Sequence, residues 1–144
     1  MPIAYISEFV DGESVFRYVD APGLENLIKP GDSRDLTDVY CLHILEGRLP
    51  ELIPDTSKNP LALAMPITRE IPIGAHMSIP IRLVDGTPYG MFCCLSPEAN
   101  TSLNDRDLET MRLFANLAAQ QIDKDYEERR ILEGKRERIL ETLN

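Results

Sequence analysis

The sequence predicts an α+β domain: an antiparallel sheet flanked by helices, the last of them long and C-terminal. Three observations carry this. Asp11-Gly12 and Asp85-Gly86 each lie between hydrophobic runs, the strongest short-range signal for a β-hairpin. Only short helical patterns separate the two hairpins. After Asn104 apolar residues recur at alternating spacings of three and four, at Leu108, Met111, Ala115, Ala118 and Ile122.

Taken in order, Pro2–Phe9 and Glu13–Val19 read as the first hairpin, ended by Ala21-Pro22-Gly23. Asn26–Asp35 is loop-like. Thr37 can cap a helix running to Glu46, with Gly47 as its stop. Leu52-Ile53 is a short strand before Asp55. Ser57 or Asn59 caps a short helix over Pro60–Met65, with Pro60 in the first turn. Ala75–Leu83 and Pro88–Ser96 form the second hairpin. Asn104 caps the final helix, and Asp105, Asp107 and Glu109 complement its dipole. That helix runs toward the C-terminus and is broken or weakened at Gly134. Beyond Ile122 the apolar ladder meets Asp125, Arg129 and Arg136, so the chain divides into a domain over residues 1–122 and a charged helical connector over residues 123–144.

Composition narrows the function. The chain has 144 residues, enough to bury a real core as one domain. Its net charge is −9, and nearly all of that lies in the body, because the tail from Asp123 carries seven acids against six bases. Such a body repels nucleic acid and anionic lipid. No apolar run is long enough for a membrane span and the N-terminus lacks a signal-peptide pattern. Three cysteines, two of them adjacent, form no disulfide framework, so a reducing cytoplasm is expected.

The adjacent pair Cys93-Cys94 raises the question of chemistry. Successive residues of a strand face opposite sides of the sheet. A two-residue turn at Asp85-Gly86 pairs Val84 with Thr87, Arg82 with Tyr89, Pro80 with Met91 and Ser78 with Cys93. One face then carries His76, Ser78, Pro80, Arg82, Tyr89, Met91, Cys93 and Leu95. The other carries Met77, Ile79, Ile81, Gly90, Phe92 and Cys94. The first, with the polar groups, is assigned to a pocket and the second to the terminal helix. The two cysteines are therefore not a redox pair. Cys94 reads as core packing. Cys93 reads either as inert cavity lining or as a ligand contact, and His76 as structural or functional. Asp55 either aims into the pocket or caps the next helix. Cys41 and His43 diverge around their helix, and nothing has zinc-ligand spacing.

The chain resembles the GAF domain family in three places. Ser78-Ile79-Pro80-Ile81 is similar to the family's "GVPL" strand, with serine in place of glycine. Asp85-Gly86-Thr87-Pro88-Tyr89-Gly90 is similar to its "dG..yG" hairpin. The helix after Asn104, through Leu117-Ala118-Ala119-Gln120-Gln121, resembles its closing helix. The likeness spans Ile3–Ile122. It implies a sheet with terminal helices on one face, often paired with a second subunit, and a roof of short helices over a small-molecule pocket on the other. One departure is that this chain starts directly at its first strand rather than with a helix. In the tail, Arg136–Leu140 followed by Glu141-Thr142-Leu143 resembles the lead-in to EAL-type cyclic-di-GMP phosphodiesterase domains.

The resulting expectation is a cytoplasmic sensory domain without catalysis of its own. Its pocket residues are Cys41, Asp55, His76, Ser78 and Cys93, its ligand an unidentified small molecule. It forms a homodimer through residues 104–144 and signals to an output domain. The alternatives are a ligand-free dimerisation and relay module and, from a different class, a methionine sulfoxide reductase-like enzyme. A bilin photoreceptor is disfavoured because no Cys-His dipeptide occurs, and the cyclic-nucleotide subgroup's NKFDE-type signature is missing.

Overall fold

Both Asp-Gly turns close hairpins, and the hairpins join edge to edge in a computed structural model of the chain, which describes residues 1–143. The first hairpin is β1 (Ile3–Val10) and β2 (Glu13–Asp20). Asp11 and Gly12 both take left-handed backbone (φ 50° and 80°), the geometry that matches a tight turn to twisted strands. A short strand, β3 (Ser33–Asp35), adds to β2, and another, β4 (Leu52–Ile53), adds to the second hairpin, β5 (Ala75–Arg82) and β6 (Pro88–Ser96). The six-stranded sheet runs β3-β2-β1-β6-β5-β4, with antiparallel pairing throughout. At its centre Gly90 pairs with Glu8, and a Cβ on Gly90 would lie 1.7 Å from the Ser7 carbonyl oxygen.

Helices cover the two faces differently. On one face lies a roof of short helices: α1 (Tyr40–Leu45), α2 (Pro60–Ala64) and α3 (Pro66–Glu70). Its core joins Ile44, Ala62, Met65 and Ile67 to Ile3, Phe16, Met91 and Leu95 of the sheet. On the other face α4 (Asp105–Leu143) lays Leu108, Met111, Ala115 and Ala119 on Met77, Ile79 and Ile81. Asn104 caps α4 by accepting from the Arg106 N–H at 2.9 Å, while Asp107 accepts from the Asn104 N–H at 3.0 Å.

The structure corrects several expectations. The helix expected over Thr37–Glu46 is split into a 3-10 turn at Leu36–Asp38 and α1, because Val39 is extended. Asp35, not Thr37, supplies the cap, accepting from both the Thr37 N–H and its hydroxyl. Asn59 rather than Ser57 caps α2. β3 and α3 were not expected. Gly134 does not break α4, which continues through it, so residue 122 falls within one unbroken helix.

The second turn has three residues rather than two. Leu83 pairs with the loop closure, its N–H donating to the Thr87 carbonyl and its own carbonyl accepting from the Gly86 N–H, with Gly86 left-handed (φ 87°). Arg82 consequently pairs with Pro88, and Tyr89 is the extra residue that restores the expected register at Ile81–Gly90. The turn's extra residue and the bulge cancel, so Pro80–Met91 and Ser78–Cys93 pair as expected. Tyr89 changes side: it packs with the α4 cluster, its ring 6.5 Å from that of Tyr126.

Candidate functional site

The polar groups of the roof-side face converge under α1. His76, Ser78 and Cys93 are all buried on β5 and β6, and Cys41 descends onto them from α1. Ser78 Oγ and Cys93 Sγ lie 3.1 Å apart. The His76 ring meets the Tyr40 ring edge-on at 4.7 Å between centroids. The Tyr40 hydroxyl donates to Thr68 Oγ1 (2.5 Å), which donates to the Ala62 carbonyl (2.6 Å), so one relay of hydrogen bonds ties all three roof helices together. Cys94 sits half-buried on the other face, with the α4 cluster.

Burial pushes the Cys93 thiol well above its ordinary pKa, so it stays protonated. The neighbouring Cys93 thiol is the main reason that the Cys41 thiol is lowered, against the opposing effect of burial. Among the described residues, His76 Nδ1 and Ser7 Oγ are buried without a hydrogen-bond partner. An unpaired buried polar atom costs about 1–3 kcal/mol. The cavity beside His76, Cys41, Ser14 and Tyr5 is small, about 10 Å³, room for roughly one water.

Asp55 is not part of this cluster. Its carboxylate accepts from the Ser57 N–H (3.0 Å) and hydroxyl (2.6 Å), which caps the 3-10 turn Thr56–Lys58 and lowers its pKa. Of the five candidates, then, Cys41, His76, Ser78 and Cys93 come together and Asp55 stands apart. Sequence reasoning missed Ser7, Ser14, Tyr5 and Tyr40. A signal existed for Ser7: it interrupts the apolar alternation Ile3, Tyr5, Phe9 of β1, and its strand pairs with β6 at Met91.

The sequence from residue 4 to residue 122 matches the family model of the GAF domain. The chain belongs to the GAF domain family. This is a family of sensory and regulatory modules, and the sheet with roof and terminal helix is its fold. Solved structures agree at the level of fold. A phycocyanobilin-bound GAF domain from a cyanobacterial phytochrome is similar with a TM-score of 0.69 and 14% identity, over 89% of this chain and 78% of that one. The GAF domain region of a Geobacter sulfurreducens protein gives 0.64 and 20%, over 85% and 81%. A type II free methionine-R-sulfoxide reductase from Thermoplasma acidophilum gives 0.62 and 18%, over 85% and 79%. No curated protein matches the chain by sequence. Among the described residues, no helix of this GAF domain is long and apolar enough to cross a membrane.

Proposed function

We propose that this GAF domain is a cytoplasmic sensory module in which a small polar ligand, bound between roof and sheet, biases the position of α4 and through it an output domain. One observation carries the reading. Alternate residues of the same two strands face the roof and the helix: His76, which lines the cavity, against Met77 and Ile79, and Met91, Cys93 and Leu95 against Phe92 and Cys94. Neither strand can shift on the cavity side without moving the surface on which α4 rests. A ligand acts this way only if it binds one arrangement better than the other. The unpartnered His76 Nδ1, whose side chain lines the cavity, supplies the polar recognition, and the roof must lift to admit anything larger than water.

The packed cavity supports a second reading, a ligand-free module that dimerises and relays. In either case a second copy covers α4, whose Leu113, Phe114, Leu117, Leu132 and Ile139 are exposed. The segment 123–144 then acts as the connector, and its likeness to an EAL lead-in makes cyclic-di-GMP turnover the favoured output. We read the domain itself as non-catalytic, because Cys93 is held as a buried thiol and Cys94 faces the helix.

Native mass spectrometry of the purified protein, set against its denatured mass, tests this. The expected result is a dimer with a reproducible non-covalent adduct that His76→Phe abolishes. A dimer free of any adduct refutes ligand sensing and leaves the ligand-free module.

A further inference from the structure

On the other side of the sheet, where α4 leaves the domain, a groove of about 370 Å³ opens between the first hairpin and the helix. Its walls come from four elements: Glu8 of β1, Arg17 and Tyr18 of β2, Tyr89 of β6, and Tyr126 and Arg129 of α4. The volume lies within the range of small-molecule sites. Three of the chain's five tyrosines are here.

The hydrogen-bonding capacity of this groove is unbalanced. Each of its two carboxylates already has a partner: Glu8 accepts from Arg17 Nε at 2.8 Å and lies against the Tyr126 hydroxyl, and Asp125 accepts from Gln121 Nε2 at 3.0 Å. Its donors are in surplus. Arg129 makes no ion pair among the described residues, and its guanidinium lies 5.7 Å from the centre of the Tyr126 ring. Burial, helped by the charge of Glu8, pushes the Tyr89 phenol up to about 12, so it remains an O–H donor at physiological pH. The Tyr18 ring, 68% exposed, is a flat apolar surface with little covering it.

A donor surplus beside an uncovered aromatic face calls for an acceptor-rich, planar ligand. We propose that this groove binds a planar aromatic carboxylate, its ring lying on Tyr18 and its carboxylate reaching Arg129. The site is separate from the roof cavity and stands whether or not that cavity takes a ligand. Because half of its lining belongs to the root of α4, an occupant would fasten that root to the first hairpin.

The test is amide-resolved NMR titration with 2-naphthoate as probe, alongside naphthalene-2-methanol (the ring without the charge) and cyclohexanecarboxylate (the charge without the ring). The expected result is saturable shifts for 2-naphthoate at residues 8, 17, 18, 89, 126 and 129. Either control should bind more weakly, and Arg129→Gln should weaken 2-naphthoate about fivefold, the scale of one exposed charge contact. Both Arg129 and Tyr18 are surface positions, so Tyr18→Ala serves as a second variant whose fold is retained and whose affinity should fall likewise. No saturable shifts, shifts centred on Cys41 and His76, or full affinity in both variants would overturn the proposal. So would groove shifts that follow protein concentration without probe, which would give the groove to a second copy of the chain.

Discussion

Replacing each of the adjacent cysteines by leucine separates the two faces of the sheet. Cys93 is fully buried, and the cavity near it holds only about 10 Å³. Leucine there must displace neighbours in an already filled space, at about 1–3 kcal/mol for the overpacking. It also removes the thiol 3.1 Å from Ser78 Oγ, the one side-chain partner of that hydroxyl among the described residues, leaving a buried polar group that costs about 1–3 kcal/mol. The sum, about 2–6 kcal/mol, is a large part of the stability of an ordinary domain. In a chain of this length it lowers Tm by roughly 6–18 °C. Cys94, half-buried beside a helix that can adjust, should cost under about 1 kcal/mol for the same change. Urea unfolding followed by circular dichroism, with m-values compared, gives both numbers. Equal losses, or a larger loss at Cys94, would refute the assignment of the two faces.

Two further outcomes follow from the central strands and the groove. Gly90→Ala should cost at least about 3 kcal/mol, because its methyl would meet the Ser7 carbonyl and the central β1–β6 ladder must part; amide exchange should accelerate first at Tyr5, Ser7 and Phe92, and unchanged protection there would contradict the register. The raised Tyr89 phenol binds its proton more tightly folded than unfolded. Its contribution to stability is therefore complete below pH 10 and is lost as pH rises from about 10 to about 12. Equilibrium unfolding at stepped pH should show this fall, and Tyr89→Phe should remove part of it; an identical fall in the variant would assign the effect to other groups.

What could be read in the sequence was whatever period and turn chemistry determine. The two hairpins, the α4 cap at Asn104 and the division of β5 and β6 into two faces follow from alternation and from local hydrogen bonding. Ser33–Asp35 could not be read, since three polar residues held only by an edge ladder carry no pattern. Met65-Pro66 likewise gives α3 no capping side chain. The meeting of Cys41 with Cys93, and of Tyr40 with His76, depends on how the roof settles on the sheet, which no local spacing encodes. Tyr89 is the instructive case: the turn is one residue longer than its Asp-Gly signal suggests, and only the compensating bulge keeps Met91, Cys93 and Leu95 on their expected face and Met77, Ile79, Ile81, Phe92 and Cys94 on theirs.

The length of α4 sets the scale of any output. Its last packing contact with the domain is Tyr126 beside Tyr89, and Leu143 lies 17 residues further on, about 26 Å at 1.5 Å per residue. A lever arm of that reach turns a tilt of about 5° at its base into roughly 2 Å of travel at its tip, comparable to the helix shifts of about 1–2 Å that switch subunit interfaces. Over the 14 residues from Leu108 to Ile122 that rest on the sheet, about 21 Å, the same tilt shifts one end of the contact against the other by roughly 2 Å, so sheet and tip move on the same scale.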